Sequence, residues 1–211
     1  MKKLILGLAV TASSLAFAQT TTATASSSNP VTFGVKGGMN VSSATKGSGL
    51  DDNKSKIGFN AGVFANIPIA SSFSIQPEVI YSQYGNKTEY TVLGNKYSTS
   101  SHLDYVAVPV MFQYNALPNL YLEAGPEFGL MVSAKNKIKN ETNGNSTTSD
   151  NYKDDLNTFN VGIGIGAGYY FTPNFGVTAR YVAGLTDIVK DNPGDAIRNN
   201  VFQVGLAYKF K

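Results

Sequence analysis

Residues 159–171 read Phe159-Asn160-Val161-Gly162-Ile163-Gly164-Ile165-Gly166-Ala167-Gly168-Tyr169-Tyr170-Phe171. Successive side chains of a strand point to opposite faces. Phe159, Val161, Ile163, Ile165, Ala167, Tyr169 and Phe171 therefore share one side, and Asn160, Gly162, Gly164, Gly166, Gly168 and Tyr170 the other. Gly162-x-Gly164-x-x-Ala167 formally fits a dinucleotide fingerprint. That motif needs a helix after it, whereas this stretch runs on into Tyr169-Tyr170-Phe171. The segment reads as a strand with one wholly apolar face and one nearly empty face.

Seven more segments alternate in the same way: about 31–41, 57–67, 73–84, 103–114, 120–132, 175–185 and 200–210. Each is close to the ten residues with which a tilted strand crosses a bilayer. In 120–132, Leu120, Leu122, Ala124, Pro126, Phe128 and Leu130 oppose Tyr121, Glu123, Gly125, Glu127, Gly129 and Met131. The connectors alternate in length. Pro68–Ser72, Asn115–Asn119 and Thr172–Asn174 are short and carry Pro or Asn turn chemistry. Ser42–Lys56, Gly85–His102, Ser133–Thr158 and Thr186–Asn199 are long, polar and expected to be mobile. Short periplasmic turns alternating with long extracellular loops are the mark of an outer-membrane barrel. The expectation is an all-β protein, an eight-stranded antiparallel up-and-down transmembrane barrel over residues 31–211.

Charge supports that orientation. Within the strands the charged residues are Lys36, Glu78, Glu123, Glu127, Arg180 and Lys209, and all six fall on the polar register. A charge facing lipid at mid-depth costs roughly 2–4 kcal/mol, so a belt free of charge is what lipid requires. Three acids and three bases balance, which suits a narrow lumen, and we expect them to form one ion network in which Arg180 is neutralised by some of Glu78, Glu123 and Glu127. Asp104 alone lies on an apolar register, at the loop end of its strand, which places it above the bilayer. A soluble lipocalin-like barrel would show the same period of two with its apolar face inward. The glycine row on the polar face and aromatics near strand ends (Tyr81, Tyr114, Tyr169, Phe171, Tyr208, Phe210) favour the membrane reading.

The beginning of the chain fits export. Met1-Lys2-Lys3 precedes an apolar run from Leu4 to Phe17, and Ala16-Phe17-Ala18 forms an A-x-A site before Gln19. The run is shorter than the roughly 20 residues of a spanning helix. We expect a signal peptide over residues 1–18, cleaved near Ala18/Gln19, then a flexible polar leader over 19–30. Cleavage also removes Lys2 and Lys3, so 17 basic residues become 15 against 14 acidic. That balance leaves no basic stripe for nucleic acid. With no Cys there is no disulfide, thiolate or iron–sulfur chemistry.

The segment Gln203-Val204-Gly205-Leu206-Ala207-Tyr208-Lys209-Phe210 resembles the signal read by the outer-membrane barrel assembly machinery, polar-x-Gly-x-x-aromatic-x-aromatic. Gln203, Gly205, Tyr208 and Phe210 match it; Lys211 follows where many such proteins end on the aromatic. On a larger scale the chain resembles the PorT-type family of small outer-membrane β-barrels of Bacteroidetes. The residues that carry the resemblance are Phe33-Gly34-Val35-Lys36-Gly37-Gly38-Met39-Asn40, Ile75-Gln76-Pro77-Glu78, Tyr105 to Pro109, Glu123-Ala124-Gly125-Pro126-Glu127 and Ala179-Arg180-Tyr181. The resemblance implies the barrel and the outer-membrane location, and its name implies a link to protein secretion. Fold motifs do not transfer a task.

No catalytic constellation emerges. His102, the sole histidine, precedes Leu103-Asp104 without a nucleophile motif, and Asp51-Asp52, Asp154-Asp155 and Asp191-Asn192-Pro193-Gly194-Asp195 lack calcium-loop spacing. The expected function is that of a non-enzymatic barrel with a side-chain-filled lumen, structural or acting through its loops, with no cofactor or metal. The alternatives are an accessory of a secretion system and a narrow channel for a small solute. Expected partners are outer-membrane lipid and lipopolysaccharide, the assembly machinery during insertion, and a secretion-system or surface partner.

Overall fold

The structure, a computed structural model, describes residues 30–45, 53–92, 94–142, 144–150 and 153–210. The expected signal peptide, nearly all of the leader, and Asp51-Asp52 lie outside the described residues. Nine strands follow in chain order: β1 (Thr32–Ala44), β2 (Asn53–Ala70), β3 (Phe73–Val92), β4 (Asn95–Leu117), β5 (Leu120–Asn140), β6 (Ser146–Asp150), β7 (Phe159–Tyr170), β8 (Phe175–Gly184) and β9 (Asn199–Lys209). All pairings between them are antiparallel.

Eight of them close a ring in the order β1-β2-β3-β4-β5-β7-β8-β9, and β9 returns to β1 from Gly34↔Lys209 to Ala44↔Asn199. The ninth, β6, folds back onto the outer part of β5 alone, Lys139↔Ser146 to Lys135↔Asp150, outside the ring. Polar residues on both faces conceal this strand from a periodicity reading. For the same reason Gly85–His102 is not a loop. β3 and β4 continue in register to Val92↔Asn95, and the stacked rings of Tyr90 and Tyr97, 5.6 Å apart, brace the hairpin. The wall made by β3, β4 and β5, of 20, 23 and 21 residues, stands well above that of β7, β8 and β9, of 12, 10 and 11.

The apolar face points outward. Met39, Val63, Phe112, Leu122, Ile163, Ile165 and Leu206 are exposed, while Asn40, Glu78, Gln113, Glu123, Arg180 and Gln203 are buried. This inverts a soluble barrel, and burial of apolar area cannot be what closes it; lipid takes that face, and the closed ladder satisfies the backbone. Aromatic pairs band both rims: Phe73–Tyr114 at 5.2 Å and Tyr169–Phe171 at 5.4 Å toward the short turns, Phe59–Tyr81 at 5.6 Å toward the loops. From Phe73 to Tyr81 is about 27 Å of strand at roughly 3.4 Å per residue. A tilt of about 40° reduces that to about 20 Å of height, close to the apolar band of such barrels.

Candidate functional site

The lumen has three levels. Nearest the short turns, Phe64, Tyr121, Tyr170 and Ala207 form an apolar cluster. Beside it Asn66 Nδ2 donates to Gln113 Oε1 at 2.8 Å and to Ser74 Oγ at 3.1 Å.

The middle level holds the charges. Arg180 sets a fork on Glu78, Nη1 to Oε2 at 2.9 Å and Nη2 to Oε1 at 2.7 Å, and its Nε donates to Glu123 Oε1 at 2.7 Å. Lys36 Nζ reaches Glu78 Oε2 at 3.1 Å. Gln76 Nε2 donates to Glu78 at 2.8 Å and Gln113 Nε2 to Glu123 at 3.0 Å, tying this level to the one below. Two cations and two carboxylates thus balance across β1, β3, β5 and β8, with Glu78 and Arg180 each only 2% exposed. The empty face of β7 makes room for them. A Cβ on Gly166 would stand 3.0 Å from Glu123 Oε1, one on Gly164 would stand 2.7 Å from Met111 Cε, and one on Gly168 would collide with the Tyr121 ring. The glycine row is the trough in which side chains from across the lumen lie.

Two of the six charged residues depart from the expected single network. Among the described residues Glu127 makes no ion pair and its Oε2 has no hydrogen-bond partner; it accepts the Tyr84 hydroxyl at 2.5 Å. Lys209 sits at the short-turn rim, its Nζ 4.0 Å from the centre of the Tyr170 ring. Both lie on the inward register, but strand stagger puts Glu127 above the charged level and Lys209 below it, a quantity that parity does not carry.

The third level seals the loop end. Tyr84, Leu103, Tyr105, Met131, Ala134, Val182 and Val201 pack with Leu156 and Ile188, which two connectors bring in from outside the ring. A bridge Leu156↔Val189 joins these connectors, Asn157 N donates to Ile188 O at 2.9 Å, and Ile188 N to Ile197 O at 2.8 Å. These stretches, expected as mobile, are docked as a cap. Asp187 organises it: Oδ1 accepts Val189 N at 2.9 Å and Ile197 N at 3.2 Å, and Oδ2 accepts Asn192 Nδ2 at 2.8 Å. Partial burial pushes the Asp187 carboxyl up, but these hydrogen bonds and the charge of Arg198 outweigh it and hold it below the usual aspartate range. A depressed carboxylate stabilises the folded form above its unfolded pKa of about 3.9, and that contribution is lost as pH falls through the lower folded value. Amide protection in residues 186–198, taken relative to the intrinsic exchange rate at each pH, should therefore fall below about pH 4, and in Asp187→Asn should be low throughout, without that acid-dependent drop. Unchanged protection in acid would show that the cap does not depend on this carboxylate.

His102 pairs across the sheet with Gly85 and Lys135. Burial, then the charge of Lys56, pushes its pKa below that of an ordinary histidine despite Asp104. No group of three His, Cys, Asp or Glu side chains that could hold a metal occurs among the described residues.

In β9, Gln203 is buried in the lumen opposite Asn40. Gly205 faces Gly38 so closely that a Cβ would stand 2.5 Å from Gly37 O. Tyr208 and Phe210 face outward at the short-turn rim, edge to face with centres 5.9 Å apart, and Phe210 N donates to Phe33 O at 2.8 Å. The four matched residues thus lie along the seam where the last strand joins the first.

This barrel is similar in fold to Ail, the attachment invasion locus protein of Yersinia pestis, in a structure with the heparin analogue sucrose octasulfate. The identity is 18%, over 86% of this chain and 100% of that one, with a TM-score of 0.51. Neisserial surface protein A is 16% identical over 86% of this chain and 100% of that one, with a TM-score of 0.48. No curated protein matches the chain significantly. The family described as outer membrane protein beta-barrel domain matches residues 17–190, most of the chain and all but the last strand of the ring. The chain belongs to that family and is an integral β-barrel of the outer membrane.

Proposed function

We propose that this protein is a non-enzymatic barrel that does not conduct and works as a structural element or through its external surface. The observation that carries this reading is the filled lumen: a charge-balanced level of Lys36, Glu78, Glu123 and Arg180 beneath an apolar cap of Tyr84, Leu103, Tyr105, Leu156 and Ile188. A solute crossing it would have to break buried ion pairs, which costs several kcal/mol per stranded charge. Eight strands enclose an interior just wide enough for side chains. In planar bilayers the purified barrel should give no stable conductance steps. Reproducible steps that survive in the presence of a cap cross-link would favour the channel reading.

A second reading places the chain in the PorT-type branch as an accessory of secretion. Its support is the set of strand motifs, Phe33 to Asn40 above all, and it calls for a translocon that co-purifies with the barrel from outer membrane. Absence of any such partner in a mild-detergent extract returns the assignment to the first reading.

A further inference from the structure

Charge and aromatic rings separate to opposite faces of the tall wall. Above the apolar belt, the outward face of β3, β4 and β5, with the outer end of β2, carries Lys54, Lys87, Ser100 and Lys137 in one cross-strand row. The next row outward holds Glu89, Ser98 and Lys139, and the one beyond it Thr91 and Lys96. β6 widens this face with Thr148 opposite Lys137 and Ser146 opposite Lys139. Tyr90 and Tyr97 fall on the alternate register, so their rings stack on the other face.

Glu89 gathers three ammonium groups, Lys54 at 2.8 Å, Lys87 at 3.1 Å and Lys96 at 3.1 Å, while Lys139 pairs with Glu141 at 2.7 Å. Among the described residues Lys137 makes no ion pair. These five lysines against two carboxylates leave three positive charges on the face, which equals the net charge of +3 of the whole chain. The remaining residues therefore sum to zero, and the excess of positive charge collects here.

Height decides what can reach it. On β3 the last apolar outward residue is Tyr81, and Gln83↔Asp104 stands above it. Lys87 lies four residues beyond Gln83 and Glu89 six. At roughly 3.4 Å per residue and a tilt of about 40°, these stand about 10 and 15 Å above the belt. The headgroup layer on each side of a bilayer is only about 5–8 Å deep. The lysine face therefore projects into solvent, where Lys54 and Lys96 are 56% and 58% exposed at the side chain.

Composition selects among soluble anions. Protein partners anchor on apolar or aromatic residues, and single-stranded nucleic acid stacks on aromatic ones. The three rows offer neither. They offer ammonium charges about 7 Å apart along a strand and about 5–10 Å apart across strands, with Ser and Thr hydroxyls between them. We propose that the face bearing Lys54, Lys87, Lys96, Lys137 and Lys139 is a docking surface for a linear acidic polysaccharide. Its sulfate or carboxylate groups meet the ammonium heads, and its hydroxyls meet Ser98, Ser100 and Thr148. Glu89 holds together three lysines that would otherwise repel, and neutralises one of them. The proposal gives a partner to the external surface of the first reading, and it does not depend on whether the lumen conducts, so conductance and polymer binding fail separately.

The test uses the full barrel folded in phosphatidylcholine vesicles and fluorescent dextran sulfate, with uncharged dextran of the same length as reference. Wild type should bind dextran sulfate and not dextran, and binding should weaken steeply as salt rises. K54Q/K87Q/K96Q/K137Q should bind it about tenfold or more weakly at low ionic strength. K153Q/K190Q, which removes two lysines from the cap connectors, should bind as wild type does. If the quadruple variant fails to fold, K137Q alone, which breaks no ion pair, should weaken binding severalfold. Equal binding of both polymers by wild type, undiminished binding in the lysine variants, or an equal loss in K153Q/K190Q overturns the proposal. So does tighter binding of duplex DNA or polyglutamate of matched charge, which would assign the face to nucleic acid or to an acidic protein.

Discussion

Arg180→Met should destabilise the folded barrel by about 3–5 kcal/mol, the usual cost of stranding buried charge. All three guanidinium nitrogens donate to Glu78 or Glu123, each at 2.9 Å or less, and both carboxylates are almost wholly shielded from water. Without Arg180, Lys36 alone faces two carboxylates, and it reaches only Glu78. Methionine fills similar volume, so the loss measures charge and hydrogen bonding more than cavity. Lys153→Met, in the 3-10 turn Lys153–Asp155 outside the ring, should change stability by less than about 0.5 kcal/mol. Urea unfolding in lipid vesicles, followed by the gel shift between folded and heat-unfolded forms, separates the two. Equal effects would mean that the lumen network contributes no more than a solvated surface charge.

Tyr208→Ala combined with Phe210→Ala should remove most of the protein from the outer membrane while leaving synthesis intact. The two rings stand at the rim where β9 meets β1, and each also matches the resemblance to the assembly signal. Losing them weakens recognition during insertion and bares the seam in lipid, where an open edge cannot be satisfied by water. Quantifying the protein in purified outer membranes against total protein reads the effect directly. Normal membrane levels of the double variant would count against both roles.

The period-two pattern was enough to separate lipid from lumen, because a charge on the wrong face of a spanning strand is expensive. Phe159–Phe171 already shows it: Ile163 and Ile165 face lipid, and Gly164 and Gly166 face the lumen. Parity tells a face and not a height. Arg180, Glu78 and Glu123 share one level, Glu127 turns to Tyr84 above it, and Lys209 turns to Tyr170 below it. That division depends on how strands are staggered around the ring. Outside the membrane both faces of a strand meet water and the alternation fades. The extended β3–β4 hairpin and β6 are therefore invisible in a sequence such as Ser98-Thr99-Ser100-Ser101. The cap was hidden for another reason: Leu156 and the pair Ile188-Val189 are short apolar islands in polar connectors, and only the closed ring gives them a place to go.

The return of β9 to β1 also constrains the order of folding. Every other strand pairing in the ring joins neighbours along the chain, from β1–β2 to β8–β9, with β6 and the connector carrying Leu156 lying between β5 and β7. Hairpins of that kind form early and locally, whereas Gly34↔Lys209 joins residues at opposite ends of the described chain and is the longest-range closure of the fold. Until that joint is made, β1 and β9 each present a free edge that the bilayer will not tolerate. An open sheet of these eight strands should accordingly not persist as a stable species in the bilayer. Insertion and closure are then expected to occur together, with the pairing of the eleven-residue β9 to β1 as the closing step.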